Sequence, residues 1–252
     1  MLFERFRIWQ ALMLRDIRTR RGESPYDYLI TLAEPIGQIG MVYAVFTLVG
    51  RKADFGTSLL LFLMSGVLPF FLFTHVAARV IGTVRNTRSL LALPRVAAID
   101  VAISRFILET LSVSLIGVLL FVIAWAIGIP GARPHDVVQM ILAAAMIALT
   151  AFGVGLSVGC LAIYSGVFRL IWTLIARSLI FFSNVFYVVD FLHHPGRQLL
   201  GWNPLLHGVI WFRTGIYDAY PANSLSQAYM ISFCVLSILF GLALERSVRR
   251  RI

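Results

Sequence analysis

The chain has 252 residues, 59% hydrophobic and 13% charged, with 22 basic against 12 acidic residues and a formal net charge of +10. A mean hydropathy of +0.85 excludes an ordinary soluble domain and describes a polytopic membrane protein forming one membrane domain. The positive charge does not argue for nucleic acid, because the arginines stand at the ends of apolar runs, where topology and anionic lipid headgroups account for them.

Residues 1–21 do not read as a signal peptide: charges interrupt the first apolar run and no small-residue cleavage site follows. On a helical wheel Leu2, Phe3, Phe6, Trp9, Met13 and Ile17 share one face, and Glu4, Arg7, Arg15 and Arg18 take the other. Segment 1–22 is therefore expected to be an amphipathic helix lying in the membrane interface, ended by Gly22 and Pro25.

Six apolar spans follow, at 29–49, 59–81, 99–127, 137–163, 170–189 and 228–244. Between the second and third, residues 82–98 carry Arg85, Arg88 and Arg95 and a Leu-rich turn before Pro94, and read as a short cytoplasmic helix. Between the fifth and sixth lies a stretch broken by Pro195, Gly196, Gly201, Pro204 and Gly208. Its apolar core, 199–212, has 14 residues, whereas a hydrocarbon core of ~30 Å needs about 20 helical residues. It is expected to dip into the membrane and return, packed against protein. Six spans leave both termini on one side, together with seventeen of the 22 basic residues, Arg79, Arg105, Arg169 and Arg177 among them. That asymmetry makes it the cytoplasmic side.

Charges inside spans need a reason. Arg105 and Glu109 are four apart on one helical face and can neutralise each other as an intramembrane ion pair. Asp100 helps position the start of span three, and Glu34 precedes Pro35 near the start of span one, where it can satisfy backbone or meet an arginine. His193, His194, His207, Asp190 and Asp218 gather around the broken stretch, but without a ligand pattern such as HExxH, so no metal or catalytic site is expected. Cys160 and Cys234 lie within spans, have no CxxC spacing and read as small apolar fillers. Most aromatics suit packing or interfacial belts; Phe70, Phe71, Phe181, Tyr187 and Trp211 are candidates for the wall of a conduit, where sugar rings slide over aromatic faces. There is no Walker A motif, so ATP hydrolysis, if used, belongs to a separate subunit.

Two motifs carry a family resemblance. Asn86, Leu90, Leu91, Pro94, Val96 and Asp100, followed by Arg105 and Glu109, form one. Asn203, Pro204, Leu205 and His207, followed by Arg213 and Tyr217, form the other. With them the chain resembles, over essentially its full length, the permease subunit of ABC-2 type capsular polysaccharide exporters. It departs from the family at Ile210, where relatives often carry a carboxylate.

The resemblance implies an all-α fold of six transmembrane helices, an N-terminal interface helix and re-entrant periplasmic helices within 190–222. It implies a coupling helix at 84–96 that seats Arg85, Asn86, Arg88, Leu90, Leu91, Pro94 and Arg95 against an ATPase. The interface helix would present Phe6, Arg7, Trp9, Arg15 and Arg18, and the re-entrant gate Trp202, Asn203, Pro204, His207, Arg213 and Tyr217. The implied assembly is a homodimer of this chain with two cytoplasmic ATPase subunits, which bind ATP and magnesium, in the bacterial inner membrane. Its substrate would be a long, lipid-linked, often acidic polysaccharide, and periplasmic and outer-membrane export proteins are potential partners. The alternatives are an exporter of O-antigen, teichoic acid or another lipid-linked glycan and, from a different class, an intramembrane transferase, which lacks the clustered carboxylates or metal motif it would need. A passive channel is disfavoured by the lack of a pore-lining charge ring.

Overall fold

The computed structural model describes residues 13, 26–86 and 98–249. Among them it is all-helical: α1 (Tyr26–Leu48), α2 (Leu59–Asn86), α3 (Ala98–Ala126), α4 (Val137–Tyr164), α5 (Val167–Phe182), α6 (His194–Leu200), α7 (Pro204–Ile216) and α8 (Gln227–Arg249), with a 3-10 turn at Val189–Phe191. Within these helices the segments Leu59–Val84, Ile99–Ala126, Val137–Tyr164 and Gln227–Val248 are long and apolar enough to cross a bilayer. The shortest of the four, 22 residues, reaches about 33 Å at 1.5 Å per residue.

The expected fifth span is shorter than its apolar run. α5 has 16 residues, about 24 Å of helix, and stops at Phe182 although the apolar sequence continues to Val189. The reason lies at Asn184. Asn184 takes a left-handed conformation (φ 60°), which asparagine tolerates better than other side chains. Its Oδ1 accepts from the Val189 amide at 2.7 Å and its Nδ2 donates to the Tyr220 hydroxyl at 3.0 Å. Val185 and Val188 beyond it are buried in a turn rather than in an α-helix.

The broken stretch resolves into α6 and α7. Asn203 caps α7 by accepting from the Leu205 amide at 3.0 Å, and Pro204 takes the first helical position, where a missing N–H costs nothing. Thirteen residues make α7 too short to cross, yet 11 of them are buried, so it packs on protein all round. Its C-terminal carbonyls are met by the amides of the α3–α4 connection: Asp136 N–H donates to Gly215 and His135 N–H to Ile216. Gly208 and Gly215 allow that proximity. A Cβ on Gly208 would stand 2.6 Å from Ile147 Cγ1, and one on Gly215 2.7 Å from the Met140 amide nitrogen.

α4 lies at the centre, packed most extensively on α8 and α2 and also on α7. Glycines bring the backbones together: a Cβ on Gly155 would lie 2.9 Å from the Ala77 carbonyl of α2, and one on Gly153 2.7 Å from the Ile238 amide of α8. Cys160 and Cys234 are buried and free.

Two expected elements lie largely outside the described residues. α2 continues to Asn86, so the first residues of segment 84–96 belong to it. Arg88, Leu90, Leu91, Pro94 and Arg95 lie outside the described residues, as does segment 1–22 apart from Met13.

Candidate functional site

Two polar constellations stand out in this apolar bundle. The first is built around Arg213 of α7, which has no exposed surface. Its Nη2 donates to the carbonyls of Val185 (2.8 Å) and Phe62 (3.2 Å), its Nη1 to the Tyr187 carbonyl and the Tyr220 hydroxyl (both 3.1 Å), and its Nε to Ser65 Oγ (3.2 Å). The guanidinium also lies 4.0 Å from the Phe62 ring centre. Its partners are thus neutral dipoles and ring faces drawn from α2, the α5–α6 turn and the segment after α7, an arrangement that suits a planar five-donor group. Ile210 is fully buried among apolar neighbours. Three backbone carbonyls, with no carboxylate at position 210, meet the Arg213 guanidinium.

The other broken-stretch residues cap and clasp. His207 receives the Ser226 amide on Nδ1 (3.2 Å) and faces the Gly201 carbonyl with Nε2 (2.9 Å), so it is a neutral imidazole with its hydrogen on Nε2. Asp190 accepts from the Asn223 amide and the Ser224 hydroxyl and pairs with Arg197 at 3.1 Å. His193 caps α6 and His194 begins it. Asp218 pairs with His135 at 3.1 Å, and Trp202 is exposed. Tyr217 caps α7, with Phe55 edge-on at 5.4 Å. Among the described residues no His, Cys, Asp and Glu come together in a group of three that could hold a metal.

The second constellation is an open cleft of about 420 Å³ lined by α1, α2 and α5. Each helix contributes one face: Glu34 and Gln38 from α1; Phe70, Phe71, Thr74 and His75 from α2; Trp172, Thr173 and Arg177 from α5. His75 stacks on Phe71 (3.8 Å between ring centres) and places Nε2 3.6 Å from Glu34 and Nδ1 3.9 Å from Glu109. Its ring is also part of a second cavity, of about 260 Å³, lined by Arg79, Arg105 and Glu109. Glu109, with a side chain 4% exposed, is held by Arg79 Nε at 2.9 Å across the α2–α3 contact, and Arg105 Nη1 reaches Thr83 Oγ1 at 3.4 Å. Glu109 thus has an interhelical partner that spacing along one helix does not reveal.

Of the candidate conduit aromatics, Phe70 and Phe71 line the larger cavity. Phe181 is exposed on α5, with Phe186 at 5.9 Å between ring centres. Tyr187 gives its carbonyl to Arg213, and Trp211 is buried and donates Nε1 to Gln139 at 2.6 Å. His75, Trp172 and Arg177 were not singled out as site residues from sequence. The signal for His75 was present, an ionisable residue inside an apolar run. Arg177 was counted with the cytoplasmic charges, but it is the eleventh residue of α5, about 15 Å from the start of the helix.

The described residues thus form an apolar helical bundle with four helices long enough to cross a membrane and a cleft lined by aromatic and ionisable side chains, features that suit a membrane transport subunit. Residues 7–217 match the ABC-2 type transporter family, and the chain belongs to it. It is similar to the polysialic acid transport protein KpsM of Escherichia coli, 27% identical over 94% of this chain and 92% of that protein. The capsule polysaccharide export inner-membrane protein BexB of Haemophilus influenzae is 27% identical over 96% of this chain and 91% of its own length. CtrC of Neisseria meningitidis serogroup B, which carries the same description, is 24% identical over 94% and 89%.

Proposed function

We propose that this chain is the transmembrane subunit of an ATP-driven exporter that moves lipid-linked capsular polysaccharide across the inner membrane. Family membership supports the transporter class, and near full-length similarity to three capsule or polysialic acid export proteins supports the cargo. The observation that carries the reading is the cavity between α1, α2 and α5: aromatic faces beside amide, hydroxyl and charged groups, the composition of a carbohydrate path rather than of an ion channel.

Six spans, both termini in the cytoplasm and α6–α7 as a periplasmic re-entrant gate complete the proposed topology. α7 suits the gate because it is short, apolar and covered by protein. ATP would be bound and hydrolysed by two separate subunits seated on the coupling segment 84–96. A homodimer fits the apolar side chains that α1 and α5 leave exposed, Met41, Leu48, Leu174 and Phe181 among them. Periplasmic and outer-membrane export proteins would meet the gate side.

The test is deletion of the gene followed by a search for lipid-linked polysaccharide in the cytoplasm. Accumulation that is relieved by the intact gene is the expected result. A deletion strain with no intracellular glycan and an unchanged surface polymer would overturn the assignment.

A further inference from the structure

Three consecutive carbonyls in the turn after α5 are shared between two arginines. Val185 and Tyr187 accept from Arg213 of α7, at 2.8 and 3.1 Å, and Phe186 between them accepts from Arg51 Nη2 at 2.9 Å. Arg51 stands in the α1–α2 connection, 135 positions earlier in the chain. Its guanidinium is steered by an Asp54 oxygen at 3.3 Å and by the Phe46 ring, whose centre lies 4.6 Å away. Phe46 of α1 and Phe181 of α5 each approach the Phe186 ring at 5.9 Å between centres. Further along the same connection Phe55 meets Tyr217 edge-on at 5.4 Å and Tyr220 at 5.2 Å. Gly56, at φ 79°, allows this approach: a Cβ there would stand 2.9 Å from Tyr217 Cε1. Tyr220 in turn gives its hydroxyl oxygen to Arg213 Nη1.

A cation that served topology alone would need no fixed acceptor, only water or headgroups. Arg51 has a specific one, and it is the carbonyl flanked by two of the acceptors of Arg213. The peptide unit is rigid, so a carbonyl turns only with the dihedrals on either side of it. Releasing Phe186 therefore loosens the orientation of Val185 and Tyr187, and Arg213 loses its seat. The side chain of Arg51 is 41% exposed, so the bond adds little to global stability; its effect is on the direction of one turn. α1 packs chiefly on α2, and the α1–α2 connection links its end to α7. We infer that Arg51 is a positioning residue of the periplasmic gate, holding residues 185–187 in the orientation that seats Arg213. The inference rests on the reading of α6 and α7 as that gate and adds a residue outside them that sets it.

The test is maleimide labelling of the full chain in phosphatidylcholine nanodiscs with Val188→Cys as reporter, since Val188 is 1% exposed in that turn. Cys160 and Cys234, buried in α4 and α8, report general loosening in the same sample. Arg51→Met raises the rate at position 188 about fivefold, the scale of one hydrogen bond from a half-exposed charged donor, and leaves Cys160 and Cys234 slow. Arg51→Lys, which keeps a donor for the Phe186 carbonyl, restores part of the protection. In an Arg213→Lys background Arg51→Met adds little, because its effect passes through that seat. Hydrogen exchange at the Val189 amide, held by Asn184 Oδ1, reads the same opening without a new cysteine. Unchanged rates in Arg51→Met, an equal rise at Cys160 and Cys234, or the same increment in the Arg213→Lys background overturns the proposal. In cells Arg51→Met lowers surface polymer and Arg51→Lys recovers part of it. If the deletion strain accumulates glycan and Arg51→Met exports normally, the positioning role is lost and the exporter reading stands. If the deletion strain accumulates none, the exporter reading itself fails.

Discussion

Arg213 of α7 and Val185 in the turn after α5 are joined by a 2.8 Å hydrogen bond from Nη2 to the carbonyl. Gly66 of α2 makes room for it: a Cβ there would stand 2.6 Å from that carbonyl oxygen and 2.8 Å from Nη2. One guanidinium therefore fixes the short helix, the turn and a long helix to one another. Replacing Arg213 by Met takes a donor from each of five acceptors, of which the Tyr220 hydroxyl keeps Asn184 and the Phe62 carbonyl keeps Ser65, and should cost on the order of 3 kcal/mol, read as a lower unfolding midpoint in detergent. Arg213→Lys should recover only a small part, because one ammonium cannot reach acceptors spread around a planar fork. Equal stability of the Lys variant and the wild type would refute this account of the hub.

The Arg79–Glu109 pair is asymmetric. Glu109 is 4% exposed at its side chain, whereas Arg79 is 43% exposed. Losing Arg79 removes the close partner of a buried carboxylate; losing Glu109 leaves a cation that can still reach solvent or headgroups. Arg79→Met should therefore destabilise more than Glu109→Gln, by about 1–2 kcal/mol. The double variant should be more stable than Arg79→Met alone. The reverse order in chemical denaturation would show that the pair is not the main determinant at this contact.

Glycines within the helices divide into two groups with opposite expected behaviour. Gly208→Ala places a methyl 2.6 Å from Ile147 Cγ1 and 2.8 Å from Met230 Cε, an overpacking that costs about 1–3 kcal/mol. Gly117 of α3 has nothing within 4 Å of the same added atom, so Gly117→Ala should gain about 0.5–1 kcal/mol of helix stability. Parallel thermal melts decide it, and similar shifts for the two variants would contradict the described packing of α7 on α4.

Coupling to the ATPase is tested at Leu91. An aspartate there should abolish export while leaving insertion and abundance intact, because a charge in the proposed docking contact would have to be desolvated. Normal surface polymer in the Leu91→Asp strain would remove residues 84–96 from the coupling role.

Sidedness is read from the gate. Trp202 is 77% exposed and Phe212 only 7%, so a cysteine at 202 should react quickly with an impermeant maleimide from the periplasm and one at 212 slowly. Reaction at 202 only from the cytoplasm would invert the proposed topology.

The long apolar runs announced α2, α3, α4 and α8 because seventeen or more such residues have few alternatives to a helix in lipid. Asn203-Pro204 announced the start of α7 for an equally local reason, a side-chain cap followed by a residue with no N–H to satisfy. The end of α5 was not visible in this way. Asn184 stops the helix by bonding to Val189 and Tyr220, the second 36 positions away, and hydropathy cannot distinguish apolar residues in a buried turn from those in a span. The site was legible only in fragments. Glu34 drew notice as a charge in a span, but its relation to His75, Trp172 and Arg177 depends on three helices meeting with one face each. The support of Arg213 is mostly backbone carbonyl, which no residue letter encodes.

The glycine contacts of α4 have a mechanical consequence. With Ala77 of α2 and Ile238 of α8 separated from its backbone by no more than a glycine's width, neither neighbour can slide without a backbone collision. α2, α4 and α8 form a stiff chassis. α1 and α5 contact their neighbours far less extensively, and they supply two of the three cavity walls. The cleft that holds Glu34 and Arg177 is therefore built on the two long helices least tightly packed against the rest of the described fold, in front of a frame that resists sliding.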